Sequence, residues 1–66
     1  MEAAEVALLK GIELAPNSSN AHYYWASFAS AFPDKVDSAK QSAKIAVEIK
    51  SDNEPALRID RKLNIL

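Results

Sequence analysis

The sequence predicts an all-α protein of four antiparallel helices, and three observations support this fold class. Apolar residues recur three or four positions apart along most of the 66 residues, as they do on one face of a helix. The chain has one Gly and three Pro, and each Pro stands where a helical segment would begin or end. Polar residues of the kind that cap helices separate the segments. We therefore expect one domain, residues 1–66, with helices at about 2–15, 20–32, 35–50 and 54–65.

The first two helices are expected to bury different kinds of side chain. The buried stripe of helix 2–15 is predicted to consist of Ala4, Leu8, Ile12 and Ala15. Pro16 ends this helix because a proline disfavours helical geometry in the residue before it. The next helix, 20–32, follows potential capping side chains in segment 17–19. It is expected to bury a bulkier set, Trp25, Phe28, Ala29 and Phe32.

Small residues dominate the third helix, 35–50, which follows a turn at Pro33 with Asp34 as its expected cap. Its line of alanines, which permits a close approach of a neighbouring helix, is Ala39, Ala43 and Ala46. The fourth helix, 54–65, is expected to take its cap from segment 51–53 and to carry Pro55 in its first turn, where the missing N–H costs little. Its predicted buried stripe is Ala56, Ile59, Leu63 and Leu66.

Composition argues against several classes of function. The formal net charge is −1, so no global field attracts nucleic acid or anionic lipid. No apolar run approaches the roughly 20 residues of a membrane span. With one His and no Cys, the chain is expected to hold no metal, no other cofactor and no disulfide. The lack of Cys favours a cytoplasmic location without excluding export.

We also predict that the chain is not an enzyme, with no catalytic residues. Its serines lie on helix surfaces, and nothing in the pattern supplies a base or oxyanion donors beside them. The one glycine, Gly11, falls inside a helix, so there is no phosphate-binding loop. His22 stands beside aromatic residues, and we expect it to pack in the core rather than to act in catalysis.

Two similar segments lie 35 residues apart, IELAPNSSNAH from Ile12 and VEIKSDNEPAL from Val47. The same offset pairs Leu14 with Ile49. Each segment contains the end of one predicted helix, a polar turn and the start of the next helix. The sequence therefore predicts that they are successive turns of a repeat.

The helix pair between these turns resembles a tetratricopeptide repeat, a helix-turn-helix unit of about 34 residues. The matching positions of its first helix are His22, Trp25, Ala26 and Ala29, and those of its second helix are Ala39, Ala43 and Ala46. The preceding segment resembles the second helix of an earlier repeat at Ala4, Leu8, Gly11 and Pro16. The chain departs from the pattern at four positions: His22, Ala29, Ala43 and Ser51 stand where the family has Trp, Tyr, Phe and Pro. The resemblance implies one complete repeat between two half repeats, a fragment of an α–α superhelix.

The resemblance also implies a scaffold for protein–protein interaction, because such repeats bind extended peptides or partner helices on a concave surface. The groove positions it implies are Asn20, Tyr23, Ser27 and Ser30 on the second helix, with Arg58 and Lys62 on the fourth. A tyrosine offers a ring and a hydroxyl to a ligand, and two cations four residues apart suit a carboxylate. A structural interpretation stays open, in which Tyr23 lies at the edge of the core and the two cations are solvated.

The apolar surface of the N-terminal helix predicts association, because each repeat in such an array buries its faces against its neighbours. Its apolar residues outside the predicted stripe are Ala3, Val6, Ala7, Leu9 and Leu14. We expect a homo-oligomer through this helix, or packing against further repeats of a longer array. Two alternatives stay open: a small nucleic-acid-binding domain that uses Arg58, Arg61 and Lys62 on phosphates, and a purely structural oligomerisation unit.

Overall fold

The computed structural model describes residues 2–64, Glu2 through its backbone alone, and these residues form helices and turns without a strand. Helix α1 spans Glu2–Leu14, α2 Ser19–Ala29, α3 Val36–Ile49 and α4 Glu54–Asn64, and a short 3-10 helix, Pro33–Lys35, precedes α3. Each α-helix packs against the next one along the chain, α2 and α3 most extensively, and α2 also contacts α4. The predicted all-α class is confirmed. None of the helices within 2–64 is long and apolar enough to cross a membrane.

The connection between α2 and α3 differs from the prediction. Helix α2 ends at Ala29 rather than at residue 32, because Pro33 favours an extended conformation in Phe32, whose φ and ψ are −119° and 121°. The predicted cap of α3 is wrong: Asp34 lies inside the 3-10 helix, and Lys35 occupies the capping position without a side-chain hydrogen bond. The other predicted boundaries agree to within one residue. Residue 65, the predicted end of the fourth helix, lies outside the described residues.

The core is built from alanines around one tryptophan. The completely buried alanines are Ala26, Ala29, Ala39, Ala43, Ala46 and Ala56. Trp25 is buried beside Ala29 and Ala39, and its Nε1–H donates a hydrogen bond to Ser38 Oγ over 3.0 Å. Because the separation of two packed helices depends on the side chains at their contact, the alanines bring α2 and α3 close together.

Two parts of the predicted core are more exposed than expected. Ala4 and Ala15 of the predicted α1 stripe are exposed, because α1 packs mainly against α2 and the rest of its surface is uncovered. Phe28 and Phe32 are half-buried, with Phe28 packed against the core from outside. Leu66, predicted in the stripe of the fourth helix, lies outside the described residues.

The first of the two repeated turns connects α1 to α2. Ser18 N–H donates to Ala15 O over 3.0 Å, and Ser18 Oγ accepts the Ala21 N–H over 3.3 Å. Ser18 is therefore the N-cap of α2, with extended backbone geometry and a side chain that satisfies one of the unpaired amides of the first helical turn.

The second repeated turn connects α3 to α4 and has the same hydrogen bonds. Asn53 N–H donates to Lys50 O over 3.1 Å, and Asn53 Oδ1 accepts the Ala56 N–H over 3.4 Å. Each of these residues lies 35 positions after its counterpart in the first turn, and the helix ends and helix starts on either side have the same offset. The 35-residue period of the sequence is thus present in the hydrogen bonding of both turns.

Candidate functional site

A cleft of about 260 Å³ lies between α2 and α4. Tyr23 lines it from α2. The α4 side consists of Pro55, Arg58, Ile59 and Lys62, which are spaced as neighbours on one face of a helix. The fold therefore brings together three of the six groove residues expected from the sequence, Tyr23, Arg58 and Lys62.

The cleft combines apolar walls with a cationic rim. Tyr23 and Ile59 are half-buried, whereas Arg58 and Lys62 are exposed. Among the side chains of residues 3–64, no carboxylate lies within 4.0 Å of the Arg58 guanidinium or the Lys62 ammonium group. Both cations are therefore placed to pair with an anionic group that enters the cleft, and the guanidinium can do so through two parallel hydrogen bonds.

A buried asparagine fixes the spacing of the two walls. Asn53, the N-cap of α4, donates from Nδ2 to Ser19 Oγ over 2.9 Å and to Asn20 Oδ1 over 3.2 Å. Ser19 Oγ in turn donates to Ala46 O over 2.6 Å. This network, the Asn53 brace, joins the start of α4 to the start of α2 and the end of α3. Because Asn53 and Ser19 are buried and paired, displacing one wall of the cleft would leave buried polar groups without partners.

The other three predicted groove residues do not line the cleft. Asn20 is exposed, and its side-chain oxygen accepts a hydrogen bond in the Asn53 brace. Ser27 is exposed, and its carbonyl accepts a 2.9 Å hydrogen bond from Ser30 Oγ. Asn20 and Ser27 still share a helical face with Tyr23 through spacings of three and four residues. They extend the surface beside the cleft rather than forming it.

Sequence reasoning missed two residues of the cleft. Pro55 had been explained by its place in the first turn of a helix, and Ile59 had been assigned to a buried stripe. The signal that predicts both is the spacing of Pro55, Arg58, Ile59 and Lys62, which puts an apolar and a cationic pair on one face of α4. Arg61, the third cation of the basic cluster, does not line the cleft.

His22 lies in the core, as the sequence analysis expects, and is 7% exposed. Its Nε2 lies 2.8 Å from Pro16 O, and because a carbonyl only accepts hydrogen bonds, Nε2 carries the proton. The other ring nitrogen, Nδ1, is buried and has no hydrogen-bond partner within residues 2–64. His22 therefore joins α2 to the preceding turn.

Helix α1 carries a second feature of the surface, a group of exposed apolar side chains. Val6 is 65% exposed, Leu9 45% and Leu14 73%. Burying such side chains is favourable by about 1.5–3 kcal/mol each, so a helix that leaves several in water gains stability when another surface covers them.

Comparisons with protein-family models, with curated proteins and with solved structures gave no match. Among residues 2–64, no three His, Cys, Asp or Glu side chains are grouped to hold a metal ion. The functional interpretation therefore depends on the cleft and on the exposed surface of α1.

Proposed function

We propose that the chain is a protein–protein interaction module that resembles a tetratricopeptide repeat and binds a peptide or a partner helix in the α2–α4 cleft. The convergence of Tyr23, Arg58 and Lys62 on this cleft carries the proposal. The shared hydrogen bonds of the two turns support a repeat organisation, in which α2 and α4 are the first helices of successive repeats. The cleft then lies between these two helices, on the surface that such a scaffold presents to ligands.

The chemistry of the cleft selects the kind of peptide. Its volume of about 260 Å³ suits one or two side chains rather than a small-molecule cofactor, for which pockets of roughly 300–1,000 Å³ are usual. Tyr23 and Ile59 suit an apolar side chain, and Arg58 and Lys62 suit a carboxylate close to it. The proposed ligand is an extended peptide segment or the face of a helix that carries an apolar residue beside Asp or Glu.

The test is a titration, monitored by NMR, of the chain with short synthetic peptides that carry one Leu between two Glu. We expect saturable shifts at Tyr23, Arg58 and Lys62, and at least tenfold weaker binding when Gln replaces both Glu in the peptide. Arg58→Ala and Lys62→Ala should each weaken binding several-fold. Arg61→Ala is the matched control, because it removes a cation from the same helix outside the cleft, and it should leave the affinity unchanged.

The same variants separate this proposal from the nucleic-acid alternative. Binding of a DNA or RNA duplex through phosphates would fall steeply with salt and would weaken about equally in all three variants, Arg61→Ala included. Tight, salt-dependent duplex binding without any response to the acidic peptides would overturn the peptide proposal.

We propose association through α1 as a second property, because Val6, Leu9 and Leu14 are largely exposed. Molar mass measured by light scattering over a concentration series should rise above that of a 7.2 kDa monomer. Val6→Ser with Leu9→Ser should shift this rise to higher concentration. A monomer at all concentrations would exclude self-association while leaving the cleft proposal intact.

A further inference from the structure

The groove that holds α2 has a counterpart one period earlier, formed by α1 and α2 themselves. Within the described residues, α2 lies against α3 and against α4. Shifting this arrangement by 35 residues maps α3 onto α1 and α4 onto α2. The α1–α2 turn and the α3–α4 turn have the same hydrogen bonds, which supports matching α1 and α2 with α3 and α4.

The α3 residues that line the covered groove are buried, whereas the corresponding α1 residues of the open groove are not. The buried α3 residues in the covered groove are Ala39, Ser42, Ala43 and Ala46. Their counterparts on α1 are Ala4, Ala7, Leu8 and Gly11. Ala4 and Ala7 are exposed, and Leu8 and Gly11 are half-buried. A Cβ atom built on Gly11 meets no atom within 4 Å, so there is open space above this part of α1.

The α4 side shows the same contrast. Ala56 is completely buried and Ile59 half-buried, and their counterparts on α2 are Ala21 and Tyr24. Ala21 is half-buried and Tyr24 is 54% exposed. Four of the six positions compared hold small residues in both grooves, and larger residues, Leu8 and Tyr24, replace Ala43 and Ile59 in the open one.

We propose that this open α1–α2 groove docks a helix whose buried face resembles that of α2. The residues that α2 buries are Ser19, His22, Trp25, Ala26 and Ala29, so the fitting face combines three small residues with an imidazole and an indole ring. The groove continues an interface that the fold already forms, and the occupied copy of the groove shows which face fits it. This proposal rests on the 35-residue correspondence and does not depend on ligand binding in the α2–α4 cleft.

Neither α4 nor α2 of a second copy offers such a face. The positions of α4 that correspond to the buried face of α2 hold Glu54, Leu57, Asp60, Arg61 and Asn64, four of which are polar or charged. Helix α2 of a second copy already has its own α3 against that face. The occupant is therefore an α2-like helix of another repeat unit rather than the polar face of α4 in a neighbouring copy.

The experiment uses residues 16–32 of this sequence as a synthetic peptide with blocked ends, added to the ¹⁵N-labelled 66-residue chain. Gly11 is the one glycine of the sequence, so its amide signal reports directly on the groove. We expect saturable shifts at Gly11 and Tyr24, with smaller shifts at Arg58 and Lys62. A peptide with Ala26→Glu and Ala29→Glu should not bind, because two large charged side chains replace small residues on the face that would enter the groove.

Affinities measured by fluorescence anisotropy of the labelled peptide separate the groove from the rest of α1. Gly11→Leu places a side chain where an added Cβ atom meets nothing within 4 Å, and it should weaken binding at least tenfold. Glu13→Leu is the matched control, because it adds the same side chain to the exposed far side of α1, and it should leave binding unchanged. Arg58→Ala should also have no effect, which keeps this result independent of the cleft proposal.

Three results would overturn the proposal. The first is the absence of a shift at Gly11 at millimolar peptide. The second is that the peptide with Ala26→Glu and Ala29→Glu binds the chain as tightly as the unmodified peptide does. The third is a shift centred on Ala39 and Ala43, because it would mean that the peptide replaces the internal α2 instead of occupying the open groove.

Discussion

The two interhelical turns have the same backbone hydrogen bonds and yet contribute differently to the tertiary structure. In the first turn, the short side chain of the cap Ser18 accepts a hydrogen bond from Ala21 N–H in the helix that it caps. The cap of the second turn, Asn53, uses its oxygen for the same purpose and its Nδ2 group for the brace to Ser19 and Asn20. A single amide side chain therefore caps α4 and bonds to α2.

The difference shows how a repeated local motif acquires a specific role. Both caps satisfy the requirement of a helix N-terminus, and Ser and Asn are about equally good at it. The longer amide side chain keeps an NH2 group with two donors free while its oxygen caps the helix, whereas the short serine side chain keeps one hydroxyl donor. Asn53 is buried, as is its hydrogen bond to Ser19, so losing that bond leaves a buried polar group without a partner, at a cost beyond that of losing a cap.

The largest expected effect is that of Asn53→Ala. It removes the cap of α4 and breaks the brace, so we expect a loss of about 2–3 kcal/mol in the free energy of unfolding. Urea denaturation followed by circular dichroism measures this loss. Asn53→Ser keeps the cap and loses the brace, and it should cost about half as much. Equal stabilities of Asn53→Ser and the unmodified chain would show that the brace contributes nothing.

Ser18→Ala tests the first turn alone and should have a smaller effect. Loss of a helix N-cap costs about 1 kcal/mol, which corresponds to a decrease of roughly 4–8 °C in Tm for a domain of this size. Ser18→Asn keeps a capping oxygen and should change Tm little. If Ser18→Ala destabilises the chain as much as Asn53→Ala does, the contrast between the two turns is wrong.

The smallest effect is expected for His22→Leu, which gives the first turn the residue that the second turn has at position 57. The change loses the hydrogen bond to Pro16 O but also removes Nδ1, a buried acceptor without a partner in the described structure. These terms offset each other, so the free energy of unfolding should change by less than about 1 kcal/mol. Thermal denaturation with His22→Ala as a control measures it. The control also creates a cavity and should cost more. A decrease of more than about 2 kcal/mol in the free energy of unfolding of His22→Leu would mean that the first turn contributes more to stability than we propose.

Local features of the fold were predictable from the sequence because local interactions determine them. The four helices follow from apolar spacing, and the caps at Ser18 and Asn53 follow from the polar segments before the helices. The early end of α2 follows from the effect of Pro33 on Phe32, which the prediction placed inside the helix. The exposure of Ala4 and Ala15 was not predictable, because spacing predicts which face of a helix is apolar and not whether another helix covers it.

The candidate site was predictable only in part for a related reason. Tyr23, Arg58 and Lys62 were proposed from a resemblance that assigns them to one surface, whereas Pro55 and Ile59 were explained by their local roles. Contact between α2 and α4 depends on how two turns orient three helices, and small changes in either turn alter which side chains meet.

The sequence by itself determined the helices, their caps and the 35-residue period, because these depend on residues within a few positions of each other. The tertiary structure decided that Tyr23 faces the cations of α4, that Asn53 reaches Ser19 and Asn20, and that α1 keeps an open face. Those outcomes depend on contacts between residues about 30 positions apart, which form only when several helices pack at once. The buried alanines between α2 and α3 allow that packing, since they let the two helices approach closely enough for the brace to form.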